Sequence, residues 1–196
     1  MTCLIFNSML CTGQCAKYTM KANDAALYEN LILRMANGDN NAFAELYRHT
    51  YTAVYGFALS IMRNKPDAED VMHDTYIRVY NAAAGYQPMG KPLQWILTIV
   101  RNLCYNRIRS GKLCDDIDEY REVIGAGGDE ISDRLLLKDA LEVLDFDERQ
   151  IVIMHAMTGL KHREIAEILA MPTGTVTSKY KRALQKMRSA IDGRTE

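Results

Sequence analysis

The chain has 196 residues, 48% of them apolar and 25% charged, with a formal net charge of −1. That is enough apolar material for one large or two small folded domains, and it excludes low-complexity and strongly polyelectrolyte classes. No apolar run reaches about 18 residues, so no membrane insertion is expected.

Residues 1–23 read as a disordered N-terminal tail. The apolar piece at 3–10 is short and no Lys or Arg precedes it, which makes a poor signal peptide. A second methionine, Met20, stands just before the first helical pattern. The cysteines are Cys3, Cys11, Cys15, Cys104 and Cys114. An odd count in a chain of this size argues against a disulfide framework and for a cytoplasmic protein. Cys11 and Cys15 lack the further ligands that structural zinc needs, so no metal is expected.

Helical periodicity begins at Asp24, a candidate cap, with Leu27, Leu31 and Met35 at four-residue spacing and Gly38 as the stop. A second helix carries Phe43, Leu46, Tyr47, Val54, Phe57, Ala58 and Ile61 on one stripe. Pro66 opens a third at its first turn, with Asp67, Glu69 and Asp70 near the positive end of the helix dipole. Its apolar stripe is Val71, Met72, Thr75, Tyr76 and Val79. Asp70, His73, Asp74 and Arg78 share the opposite face. Such a ridge pairs with a basic helical partner or simply keeps the helix solvated. Residues 86–92, with two Pro and a Gly, form a loop. The fourth helix follows, with Ile96, Val100, Leu103, Cys104 and Ile108 as its stripe.

Residues 111–132 lose the pattern. They are acidic and carry Gly125, Gly127 and Gly128, which predicts a flexible linker. Helical sequence resumes at Ser132 or Asp133, a candidate cap, with Leu135, Leu136, Leu141 and Leu144. No alternating strand signature stands out. The fold class is therefore all-α: two small helical domains, 24–110 and 133–196, on an acidic tether.

Charge is uneven along this plan. Residues 85–114 contain no acid, but they hold Lys91, Arg101, Arg107, Arg109 and Lys112. No acid lies between Glu167 and Asp192 either. Two basic blocks flanking an acidic one suggest two polyanion-binding surfaces. In the C-terminal domain, helices at 148–157, 161–169 and from a Thr173 cap to about Ile191 leave a turn of three or four residues before the last, matching a helix-turn-helix. Val176, Tyr180, Ala183, Leu184 and Met187 form the buried face of the last helix. Thr175, Thr177, Ser178, Lys179, Lys181 and Arg182 are left for base edges and phosphates, where a carboxylate would be repelled.

The segment "LKHREIAEILAMPTGTVTSKYKRAL" resembles the promoter-binding helix-turn-helix of the bacterial sigma-70 family, particularly its extracytoplasmic-function group. Gly174-Thr175-Val176 followed by Ser178-Lys179 carries the likeness. Ala170 stands where the family usually has Gly, and Lys161 replaces a hydroxyl cap. "DAEDVMHDTYIRVY" resembles the helix that docks on RNA polymerase, which implies polymerase contacts at Asp70, His73 and Asp74, with Arg78 on the same face. "KPLQWILTIVRNLCYNRIR" resembles the helix that opens and reads the minus-ten element. Unpaired bases stack on aromatic rings beside a cationic track, and a flipped base needs a pocket, which the loop before Trp95 offers. Trp95, Arg101, Asn102, Asn106 and Arg109 are the expected contacts, with core packing the competing role for Trp95. Lys161, Arg163, Thr175, Thr177, Ser178, Lys179, Lys181 and Arg182 are those expected for the minus-thirty-five element.

The resemblance implies a sigma factor with core RNA polymerase, promoter DNA and an anti-sigma factor as partners. It implies no cofactor. No phosphate-binding Gly loop, paired-His metal motif or nucleophile elbow occurs, so no enzyme activity is expected. The rival readings are a sigma mimic that titrates an anti-sigma factor and a helix-turn-helix repressor. The retained basic residues of the last helix argue against the first. The acidic ridge argues against the second.

Overall fold

The computed structural model describes residues 24–111 and 140–192, so the tail, most of the linker and the candidate caps Ser132 and Asp133 lie outside the described residues. Helices account for nearly all of the described chain, and no strand occurs among the described residues.

The first domain is a bundle of α1 (Ala25–Ala36), α2 (Asn40–Met62), α3 (Lys65–Ala82) and α4 (Pro92–Arg109), with a 3-10 turn at Ala83–Gly85. Asp24 does not cap α1. Its backbone, at φ −92° and ψ 12°, is outside the extended region that aims a cap side chain at the first helical N–H groups. The cap of α2 is Asp39, whose Oδ1 accepts from Asn41 N at 2.9 Å and Ala42 N at 3.3 Å. Asn64 caps α3 by accepting from Asp67 N at 2.8 Å, and Pro66 lies in the first turn as expected.

The second domain holds α5 (Phe146–Thr158), α6 (His162–Leu169) and α7 (Thr173–Asp192). A capping box opens α5: Glu148 N donates to Asp145 Oδ1 at 2.8 Å, and Asp145 N donates to Glu148 Oε2 at 3.2 Å. Only half of a box opens α6, where Lys161 N donates to Glu164 Oε2 at 2.7 Å. A lysine side chain has no acceptor with which to return the bond. The cap position of α7 is Pro172 rather than Thr173, since its carbonyl accepts from Thr175 N and Val176 N.

The two domains pack on each other, with α5 against α2 and α6 against α4. Ile151, Met154, Ile165 and Leu169 share one buried cluster with Leu31, Phe57 and Ile96 of the first domain. A second cluster, with Leu141, Leu144, Val152, Ile153 and Met187, lies within the C-terminal domain. The sequence run Ile151–Met154 therefore buries residues on two sides, a pattern that belongs to an enclosed helix rather than an amphipathic one. Cys104 is a buried free thiol, as its apolar neighbours predict, and burial pushes its pKa up to about 12.

Ala170, in the turn between α6 and α7, sits at φ 54°, ψ 44°. Left-handed backbone disfavours any residue with a Cβ. Ala170→Gly should therefore stabilise the protein by about 1 kcal/mol, raising Tm by roughly 2–4 °C. Thermal melts of the two proteins check this; an unchanged or lower Tm would show that the turn carries no such strain.

Candidate nucleic-acid and polymerase interface

The acidic ridge of α3 is real as a surface. Asp70, His73, Asp74 and Arg78 are exposed, while Val71, Met72, Thr75, Tyr76 and Val79 face the core. Two apolar residues join the ridge: Ile77 is 58% exposed and Tyr80 is also open to solvent. Tyr80 packs edge-on to Phe43, which in turn meets Tyr76. The surface is thus acidic with an apolar centre, a composition suited to docking rather than to solubility alone. Sequence reasoning passed over Ile77 and Tyr80, although both fall off the buried stripe.

Asp67 is not a solvated dipole acid but a fully buried one. Arg107 Nε on α4 donates to its Oδ1 at 2.7 Å, and Asn64 Nδ2 donates to its Oδ2 at 2.7 Å. Arg107 Nη2 also reaches Asp70 Oδ2 at 2.7 Å. Asp70 is therefore shared between the ridge and an internal ion pair, whereas no ion pair to His73, Asp74 or Arg78 forms among the described residues.

The expected minus-ten residues divide. Trp95, Asn102, Asn106 and Arg109 recur at seven, four and three, which lines them along one stripe of α4. Asn102, Asn106 and Arg109 are exposed. Trp95 is half-buried, its ring 4.8 Å from that of Tyr86 at the head of the 86–91 loop. Trp95 thus also packs, against Tyr86 and the edge of the buried core. Arg101 lies about a third of a turn away from this stripe. It faces the other domain, where Nη2 donates to the Leu169 carbonyl at 3.4 Å and the guanidinium covers the Tyr105 ring at 4.6 Å. Lys91 and Gln94, which sequence reasoning did not assign, both donate to Glu167 Oε2 of α6, at 2.9 and 2.7 Å. Those bonds, Lys91's first, hold the Glu167 carboxyl below the usual carboxylate range.

In the helix-turn-helix, a three-residue turn at 170–172 separates α6 from α7. Ser178, Lys181 and Arg182 are exposed on α7, Thr175 is half-buried, and Lys161 and Arg163 are exposed around the start of α6. No acid occupies the first turn of α7, so no side-chain charge there opposes the positive end of the helix dipole. Two of the expected contacts are differently engaged. Lys179 is only 18% exposed and pairs with Asp147 at 2.9 Å. Thr177 Oγ1 donates to the Thr173 carbonyl at 3.0 Å and lies 3.3 Å from His162 Nδ1. Lys186, unassigned from sequence, pairs with the buried Glu148 at 2.6 Å, and Arg182 Nε lies 3.9 Å from the same carboxylate.

Two histidines meet in the C-terminal domain. His155 and His162 stand with ring centroids 5.2 Å apart, and each lies 4.8 Å from Tyr180. His155 Nδ1 is 2.9 Å from the Leu160 carbonyl. Burial, and after it His155, keeps His162 below the ordinary imidazole range. The folded state then binds fewer protons than the unfolded chain as pH falls from about 6.5, so stability should fall over that window and be fully present above it. His162→Gln should flatten the pH dependence of Tm between pH 7 and about 5.5. An equal slope in both proteins would assign the effect to other groups. No group of three or more metal-binding side chains occurs among the described residues.

Residues 46–113 match the family description "Sigma-70 region 2", and residues 134–187 match "Sigma-70, region 4". This chain belongs to the sigma-70 family. Within that family it is similar to extracytoplasmic-function RNA polymerase sigma factors named SigK. The one from Mycobacterium ulcerans is 26% identical over 172 residues, covering 83% of this chain and 92% of the relative. The one from Mycobacterium tuberculosis is 27% identical over 176 residues, with the same coverage. Two solved structures share the fold of this sigma-70 member. CnrH, solved with the cytosolic domain of CnrY, is 21% identical with a TM-score of 0.62, covering 84% of this chain and 97% of that one. RpoE of Bartonella quintana, solved with the anti-sigma factor NepR, is 21% identical with a TM-score of 0.63, covering 76% and 96%.

Proposed function

We propose that the protein is a sigma factor that binds core RNA polymerase and directs promoter-specific initiation. The reading assigns residues 24–110 to polymerase binding and the minus-ten element, and residues 133–196 to the minus-thirty-five element. The observation that carries it is the order of two different surfaces on one chain. An acidic, apolar-centred ridge precedes an acid-free basic helix, and a helix-turn-helix whose last helix holds no acid before Asp192 follows. A repressor has no use for the ridge, and a mimic has no use for the basic helices.

In this reading His73, Asp74 and Arg78 contact the polymerase, with Asp70 assisting from its bond to Arg107. Trp95, Asn102, Asn106 and Arg109 line the path of the unpaired minus-ten strand, where an aromatic ring and cationic groups can hold bases that have left the stack. Arg101 serves that strand only when its bond to Leu169 is released. Lys161, Arg163, Thr175, Ser178, Lys181 and Arg182 meet the minus-thirty-five duplex. Lys179 and Thr177 contribute through the pose of α7, given their engagement with Asp147 and His162. An anti-sigma factor is the expected regulator, supported by the two fold relatives, which were solved bound to such partners or to a partner's cytosolic domain. No helix among the described residues is long and apolar enough to cross a membrane.

Run-off transcription with purified core polymerase on genomic fragments tests the function. Transcripts with defined starts should appear only when the protein is added. Start sites that are the same with and without it would overturn the reading.

A further inference from the structure

α1 packs into the bundle through Tyr28, Leu31, Ile32 and Met35. Glu29 takes no part in that core. It reaches instead across to the loop between the 3-10 turn and α4, far away in sequence. Its Oε1 accepts from the Gly90 N–H at 2.6 Å and from the Tyr86 hydroxyl at 3.3 Å. One carboxylate oxygen therefore ties the first residue of this loop to one near its end. The bond from an N–H to a charged acceptor is of the stronger kind.

The loop is built for that tie. Gly90 has φ 72°, a left-handed turn that favours glycine, and this turn delivers its N–H to Glu29. Tyr86 rests on Trp95 at 4.8 Å between centroids. Burial, and then Glu29, pushes the Tyr86 hydroxyl up to about 12, so it remains a donor at every physiological pH. Between the two tethered residues Met89 stands 76% exposed. A bare carboxylate beside a nucleic-acid path repels phosphate. Here two donors hold that carboxylate against the loop, which gives the anion a structural role.

We propose that Glu29 is a positioning residue for minus-ten recognition, holding the 86–91 loop and the attitude of Trp95 in the shape that receives an unpaired base. The proposal rests on the minus-ten reading of α4 given above. Without Glu29 the loop samples other shapes, and the binding-competent one is populated only in part, which lowers the apparent rate and affinity by that fraction.

The test uses the full chain with core polymerase and a promoter found by run-off transcription, carrying 2-aminopurine in the minus-ten element. Wild type, Glu29→Ala and Glu29→Gln are compared for polymerase affinity, Tm and the rate of promoter melting. Gln keeps a carbonyl oxygen that accepts from both donors. The alanine variant should melt the promoter about tenfold more slowly, which corresponds to one tenfold step in an equilibrium. Its polymerase affinity should be unchanged and its Tm should fall by only a few degrees, from the two lost hydrogen bonds, and the glutamine variant should stay within about threefold of wild type. Wild-type melting by Glu29→Ala would overturn the proposal. So would an equal loss of melting and polymerase affinity, or a glutamine variant as slow as alanine. A wild-type chain that binds polymerase and melts no promoter would overturn the minus-ten reading, and this proposal with it.

Discussion

Replacing Arg107 with Ala is expected to destabilise the protein by about 3 kcal/mol, near the lower end of what is seen when one partner of a buried ion pair is removed. The reason lies with the partner left behind. Asp67 is fully buried, and Arg107 Nη2 lies 2.7 Å from its Oδ1. Asn64 supplies one more hydrogen bond and the N-terminal end of α3 some positive potential. Neither replaces a guanidinium. Arg107 itself is a quarter exposed, so part of its own desolvation is absent, which keeps the expected loss from the top of the range. At this chain length the loss lowers Tm by roughly 6–12 °C. Adding Asp67→Asn to Arg107→Ala should recover much of it, because the buried charge goes with its partner. Asp70→Ala should cost far less, since that side chain is 60% exposed. Urea unfolding of the four proteins measures all of this. A loss below about 1 kcal/mol for Arg107→Ala would mean that water reaches Asp67.

The largest functional loss is expected from Asp74→Arg. On the proposed polymerase face, Asp74 is exposed and forms no ion pair among the described residues, so reversing its charge leaves the fold alone. Against a basic helical partner the change replaces attraction with repulsion. A close interfacial charge pair lost in this way costs about 2 kcal/mol or more, or roughly 30-fold in affinity. Tm should not move. Asp70 is a less clean probe, because its carboxylate also steadies Arg107 and through it Asp67. Asp70→Arg should therefore lower Tm and polymerase affinity together. Ile77→Asp tests the apolar centre of the same ridge and should weaken association without unfolding. Fluorescence anisotropy with labelled protein and core polymerase distinguishes these cases. Full affinity in Asp74→Arg would remove α3 as the docking face.

The helices and their order were legible because their stripes are regular. Pro66, the core face of α3 and the break between the helices at 148–157 and 161–169 all fall where periodicity and turn chemistry place them. Ala170 was legible too, since a turn that prefers glycine is a statement about φ. The caps were less so: Asp24 has the right chemistry in the wrong backbone, while Asp39 and Asn64 lie in short connections that periodicity does not read. Site residues divide along a similar line. Exposure of the α3 ridge follows from the stripe opposite it. The diversion of Arg101, Lys179 and Thr177 does not, because each is engaged by a residue far away in sequence or on another helix. The run Ile151-Val152-Ile153-Met154 did carry a signal: apolar residues on every side mean that two neighbours enclose α5.

Contact between α4 and α6 has a consequence of scale. Two promoter elements named for positions ten and thirty-five lie roughly 25 base pairs apart, or about 85 Å along B-form duplex at 3.4 Å per step. A compact body of this chain's size measures only about 40 Å across. Folded on itself, with Glu167 clasped between Lys91 and Gln94, the molecule is too short a ruler for its own template. On the proposed assignment of one element to each domain, holding both marks at once requires the contact between α4 and α6 to open, which would expose Ile151, Met154 and Leu169 to whatever surface then takes their place.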